Sequence, residues 1–96
     1  MEIQREEKGH KGEFFIEREG RKVAEMTYTM AGEKRMIIDH TEVDDSLRGE
    51  GAGKKLVAEG VRYARENDLK LLPLCPFAKA VIEKTPEFQD VLENQE

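Results

Sequence analysis

The 96 residues suffice for one domain, 1–96, and leave no room for a second core. Charged residues make up 39% of the chain and the net charge is −5, which argues against general nucleic-acid binding and means that any bound phosphate must be held by local geometry. The single cysteine, Cys75, excludes an internal disulfide and a cysteine cluster for zinc, and no apolar run approaches the roughly 20 residues that cross a bilayer.

The N-terminal Met1–Glu7 is charged and lacks the apolar core of a signal peptide, so an intracellular, cytoplasmic protein is expected. Glu2–Glu7 is a candidate edge strand. Phe14, Phe15 and Ile16 form the next apolar run and end at Glu19-Gly20-Arg21, a reverse-turn sequence. Val23, Glu25, Thr27 and Thr29 then alternate with Ala24, Met26, Tyr28 and Met30, the period of a half-buried strand. Gly32 breaks that run, and Met36, Ile37 and Ile38 open a strand that continues to Val43. The first half therefore predicts an antiparallel meander.

The second half changes period. From Gly51, the spacing of Leu56, Val57, Gly60, Val61 and Ala64 predicts one buried helix face, with Lys54, Lys55, Glu59, Arg62 and Arg65 outward. Asn67-Asp68 marks its exit. Leu69–Leu72 is a short strand, expected to run parallel to His40–Val43 through a right-handed crossover. Cys75-Pro76 starts a second helix, and Thr85-Pro86 a final short helix ending near Leu92. The polar Glu93–Glu96 tail is expected to fray. The fold class is α/β (α+β), a mixed sheet with C-terminal helices.

Arg48-Gly49-Glu50-Gly51-Ala52-Gly53 joins a strand to a helix N-terminus. Glycines belong there if the backbone adopts positive φ or lies close to a ligand. Helix-terminal N–H groups and the helix dipole make an anion the expected occupant. The P-loop spacing fails, because position 48 is Arg and position 55 is Lys; the dinucleotide fingerprint fails at Lys54. The bland alternative is a glycine-rich connection with no ligand.

A third pattern fits. Val43–Leu56, with Arg48, Gly51 and Gly53, resembles the acetyl-CoA-binding motif (Gln/Arg)-x-x-Gly-x-(Gly/Ala) of the GNAT N-acetyltransferase superfamily. The resemblance implies that the loop amides of Arg48, Gly49, Glu50, Gly51, Ala52, Gly53 and Lys54 bind the CoA pyrophosphate. It also implies that the main chain of Thr41, Glu42 and Val43 bonds the pantetheine arm where this strand splays from the Leu69–Leu74 strand. The implied activity is acetyl transfer from acetyl-CoA to an amine acceptor, a small molecule or protein, by a monomer or weak homodimer. The alternative is a CoA or acyl-CoA-binding module without efficient transfer.

The chain is shorter than typical members of that superfamily and lacks the helical pair after the first strand. It resembles a compact branch in which His40-Thr41 precedes the loop and Cys75-Pro76-Phe77-Ala78 follows it. Many members carry Asn-x-x-Ala-x-x-x-Tyr after the second parallel strand; here the three positions hold Cys75, Ala78 and Ile82, so the tyrosine proton donor is absent. Three candidates remain for the chemistry. His40 and Glu42 alternate on one strand and share a face, suiting a general base or ordinary sheet hydrogen bonding. Cys75 stands before a helix N-terminus, where a thiol is acidified, or is a small buried hydrophobe. Lys79 and Lys84 either reach the cofactor phosphates or are solvated.

Overall fold

The computed structural model describes residues 2–93. Five strands form one sheet in chain order: β1 (Gln4–Lys8), β2 (Lys11–Arg18), β3 (Arg21–Ala31), β4 (Arg35–Val43) and β5 (Lys70–Pro73). The first four are antiparallel and β5 is parallel to β4. Helix α1 (Ala52–Glu66) crosses from β4 to β5, and α2 (Pro76–Lys84) follows β5. The mixed α/β architecture read from the sequence is the one observed. The edge segment at the N-terminus is a full strand, joined to β2 by a turn at Gly9-His10 with no helix between them.

Local sequence explains the elements. Glu19-Gly20 closes a two-residue hairpin turn with both φ positive, 55° and 76°, the geometry that matches strand twist. In α1 the predicted face, Leu56, Val57, Gly60, Val61 and Ala64, is the buried one. The helix ends at Asn67, whose side-chain amide donates to the Tyr63 carbonyl at 2.9 Å. Proline at the first position of α2 costs no hydrogen bond, since that N–H has no partner in a helix. The final segment, Pro86–Val91, is a 3₁₀ helix rather than an α-helix. Its ends are closed by i→i+3 bonds, from the Phe88 N–H to the Thr85 carbonyl at 2.9 Å and from the Leu92 N–H to the Gln89 carbonyl at 3.2 Å. Glu93 then donates its N–H to the Leu71 carbonyl at 2.9 Å, covering the outer edge of β5. The expected fraying of the tail falls, from 94 on, outside the described residues.

The core lies between one face of the sheet and the helices. Phe14, Ile16, Ala24, Met26, Tyr28, Met36, Ile38 and Leu71 meet Leu56, Val57, Val61, Ala64, Ala78, Ile82 and Val91. Each large apolar side chain so buried is worth about 1.5–3 kcal/mol. A polar group enters it at Tyr28, whose hydroxyl donates to Glu7 at 2.7 Å and accepts from Arg5 at 2.7 Å. Burial, then the bond to Glu7, raises its pKa to about 12. The opposite face carries Glu13, Glu25, Thr27, Thr29, Asp39, His40 and Glu42, and among the described residues no helix covers it.

Two irregularities in β4 position the site. Opposite Thr27 and Tyr28 the register shifts, leaving Asp39 without a cross-strand partner. This bulge keeps Ile38 and Thr41 on the helix face and puts His40 and Glu42 on the other. The second concerns β5. It pairs with Arg35–Ile38, not with His40–Val43 as the sequence suggested, and the ladder ends at Ile38–Pro73. A bulge bends and twists its strand, so β4 diverges from β5 where the bulge begins.

Candidate functional site

After Val43 the chain turns through a short 3₁₀ segment, Asp45–Leu47, before the glycine loop. Asp44 caps it, accepting from the Ser46 N–H at 3.2 Å and the Ser46 hydroxyl at 2.5 Å. Those bonds hold the Asp44 carboxyl below the usual carboxylate range. Leu47 is buried and anchors the turn in the core. Gly49 and Gly51 have φ of 84° and 69°, conformations that L side chains adopt at a cost. Gly51 is the N-cap of α1 and offers no side-chain cap. The first helical bond runs from Lys55 N–H to the Gly51 carbonyl at 3.0 Å. The amides of Gly51, Ala52, Gly53 and Lys54 are therefore the four donors a helix start leaves over. A Cβ built on Gly49 or Gly51 meets nothing within 4 Å, so the space over the loop is open.

Two of the loop's side chains make ion pairs. Arg48 is exposed and lies 3.4 Å from Asp45. Glu50 accepts from Arg18 at 3.0 Å, tying the β2–β3 hairpin to the loop. Lys54 is exposed beside the first turn. Gly53 is helical, and its reason to be glycine is packing. A Cβ there would stand 2.6 Å from the Phe77 ring.

Beyond the end of the β4–β5 ladder lies a gap. The N–H groups of Leu74 and Cys75 both donate to the Ile38 carbonyl, at 3.0 and 3.2 Å, and the chain then enters α2. On the far wall is the Asp39–Val43 half of β4. The two walls touch where Cys75 Sγ lies 3.5 Å from Thr41 Oγ1. Burial pushes the Cys75 thiol up, but hydrogen bonds from Thr41 and from the Ala78 and Phe77 amides outweigh it, and the thiol is held below its ordinary value. Among the described residues the exposed large apolar side chains are Val43 (39%), Leu74 (61%) and Phe77 (44%). All three sit on segments that flank the gap.

His40 and Glu42 share a face, as their alternation predicts, but it is the face opposite Cys75. His40 Nε2 lies 3.8 Å from Glu42 Oε1. Glu25, which pairs with Glu42 across the ladder, brings a third group, and the three lie within 4.8 Å of one another. The spacing suits an ammonium or another cation, and the exposure of His40 and Glu42 leaves any occupant open to water. Sequence reading missed Glu25 because its arrival beside Glu42 depends on the β3–β4 register, which alternation within one strand does not fix; the polar face Glu25-Thr27-Thr29 was the available signal. Phe77 and Leu74 were missed as well, since an apolar residue reads as core until its exposure is known.

The two lysines of α2 are not brought to the glycine loop together. Lys79 is two residues, or about 200° of helix, from Phe77, and it lines a depression of about 390 Å³ with Leu72, Leu74 and Glu83. Lys84 is exposed at the C-terminal end of α2, two turns from the contact with Gly53. Ile82, at the position of the absent tyrosine, is fully buried.

The family described as GCN5-related N-acetyl-transferase matches residues 13–91. The chain belongs to the GCN5-related N-acetyltransferase family. Among solved structures it is similar to a GCN5-like protein from Staphylococcus aureus, with 42% identity, a TM-score of 0.74, and coverage of 99% of this chain and 90% of that one. The fold is shared with the ribosomal-protein-alanine N-acetyltransferase of Brucella melitensis biovar Abortus 2308 (18% identity, TM-score 0.66, 91% and 66% covered). Tetrahymena GCN5 shares it too (12% identity, TM-score 0.64, 91% and 62% covered). Protein NATD1 of Xenopus tropicalis is 32% identical over 63 residues, covering 66% of this chain. That match takes in 58% of the relative, so the chain spans little more than half its length.

Enzymes of the family use acetyl-CoA, and the residues present fit it. Four unfilled amides at a helix start suit a pyrophosphate. The open space over Gly49 and Gly51 admits it, and the gap between β4 and β5 has main-chain groups and exposed apolar side chains along its walls.

Proposed function

We propose that this chain is an acetyl-CoA-dependent N-acetyltransferase acting on an amine acceptor. The observation that carries the reading is the row of four amides, Gly51–Lys54, opening beside the gap between β4 and β5. CoA would supply the acetyl group as a thioester, activated toward an amine. The Gly51–Lys54 amides, with Arg48 and Lys54 alongside, would bind its pyrophosphate. The main-chain groups of Thr41–Val43 would orient the arm. On the outer face, Glu25, His40 and Glu42 would hold the acceptor ammonium and take its proton. Thr41 and the Phe77 and Ala78 amides favour a charged Cys75 sulfur, suiting Cys75 to act at the inner end of the gap. An unpaired cysteine suits a reducing compartment such as the cytoplasm.

One observation favours a second reading, a CoA-binding module without efficient transfer. Ile82 is apolar and buried where many relatives carry the tyrosine that protonates the leaving thiolate. Calorimetric titration with CoA tests the shared part. Binding is expected for the native chain and strong loss for Gly51→Val, whose branched side chain would enter the open space over the loop. Absence of binding at millimolar CoA would sink both readings. Release of CoA from acetyl-CoA over a panel of amines separates them: turnover that falls in Glu42→Gln and Cys75→Ala supports the enzyme, and none with any amine supports the module.

A further inference from the structure

We infer that Phe77 is a positioning residue for the cofactor, forming the wall along which the pantetheine arm runs from the phosphate amides to the Cys75–Thr41 contact. The inference rests on the CoA reading above and adds a residue that neither the loop motif nor the strand pattern singles out.

Three observations converge on Phe77. Its ring is packed so closely on the first turn of α1 that a Cβ at Gly53 would lie 2.6 and 2.8 Å from two ring atoms. Gly53 is one of the four residues whose amides are unfilled, so the ring borders the anion cradle directly. Secondly, Phe77 is two residues beyond Cys75, whose sulfur meets Thr41 on the opposite wall at 3.5 Å. Phe77 thus joins, within the first turn of α2, the cradle at Gly53 to the point where the walls touch. Thirdly, 44% of Phe77 is exposed. A ring that served only to pack two helices together would be expected to bury more of itself.

The ligand portion this wall suits is a flexible chain with apolar and amide segments, joined to an anionic head at the cradle. An aromatic ring gives such a chain broad contact with little side-chain entropy to lose. Gly53 then has a definite task. Its missing Cβ lets the ring come close enough to α1 to keep the wall in line with the amides.

Two ligands and a double-mutant cycle test this. Native chain, Phe77→Ala, Phe77→Leu, Gly53→Ala and the Gly53→Ala/Phe77→Ala pair are titrated with CoA and with its phosphoadenosine diphosphate portion, which keeps the pyrophosphate and lacks the arm. Far-ultraviolet circular dichroism checks that each variant is folded. Phe77→Ala is expected to weaken CoA about tenfold, as truncation of a buried contact does, and Phe77→Leu to recover part of the loss. The armless portion should change less than about twofold, the ordinary size of a remote effect. Gly53→Ala keeps the amide and improves helix propensity, so its harm must come through the ring. It should weaken CoA in the native background and have no further effect beside Phe77→Ala. Equal loss of both ligands in Phe77→Ala, or an unchanged affinity for CoA, overturns the inference while leaving the CoA reading intact. No binding of CoA by the native chain overturns both.

Discussion

At the scale of single residues, Thr41 and Cys75 show how two side chains from different elements make one chemical environment. As a thiol, Cys75 donates toward Thr41 Oγ1; as a thiolate it accepts from the Thr41 hydroxyl. The second arrangement is the more favourable, because the Phe77 and Ala78 amides point the same way and a charged sulfur strengthens every bond it accepts. The folded thiol is accordingly more acidic than its ordinary value of 9.0. The linked stability has a definite sign. It is fully present above the pKa of the unfolded thiol and is lost as pH falls through the folded value. Alkylation of Cys75 followed against pH should have its midpoint below 9.0, and Thr41→Val should move that midpoint upward. A midpoint that ignores Thr41→Val would show that the amides alone set the acidity.

Elements pack through their glycines in two different ways, and this gives a contrast that can be measured. On β2, a Cβ at Gly12 would stand 2.3 Å from the Tyr28 ring, which is itself fixed by Arg5 and Glu7. On α1, a Cβ at Gly60 would stand 2.8 Å from Met26 Cε, the free end of a flexible chain. Gly12→Ala has nowhere to put its methyl and should cost about 1–3 kcal/mol by overpacking. Gly60→Ala gains up to about 1 kcal/mol of helix propensity, which offsets the displacement of one methionine methyl. Denaturant midpoints should separate the two plainly; similar losses would mean that Met26 is as confined as Tyr28. This difference also marks what was legible in the sequence. The inward face of α1 could be read from period alone, because Leu56, Val57, Gly60, Val61 and Ala64 repeat as a helix must. The turn from β4 into α1 could be read from Gly49 and Gly51, because a positive φ there favours glycine. The pairing of β5, the face taken by His40 and the arrival of Glu25 could not. Each depends on a register that is settled by long-range packing, with no local pattern to announce it. Gly53 was legible as a glycine that mattered, and its partner Phe77 was not, since that contact joins two helices that β5 separates in the chain.

Across the whole molecule, the helices share one face of the sheet and the polar face is left open, with a concavity of about 700 Å³ over β1–β4 lined in part by Glu6, Glu13, Thr27 and Asp39. A net charge of −5 would repel an anionic ligand at long range. The amides at the α1 terminus, with Arg48 and Lys54 near them, then supply attraction at short range. The surplus residue Asp39 governs how these two regions communicate. β4 carries one more residue than its β3 partner can match, and that slack is released as a bend just where β5 departs. The opening between the parallel strands is thus made by a mismatch of lengths, not by the removal of bulk. Deleting Asp39 would let the two strands march in step. His40 and Glu42 would keep their side of the sheet, the core would remain closed, and the passage between β4 and β5 would narrow. Such a variant should fold and lose affinity for CoA; retained affinity would mean that the passage is held open from the α2 side. A cleft of this origin can be tuned by counting residues, without altering any group that touches what passes through it.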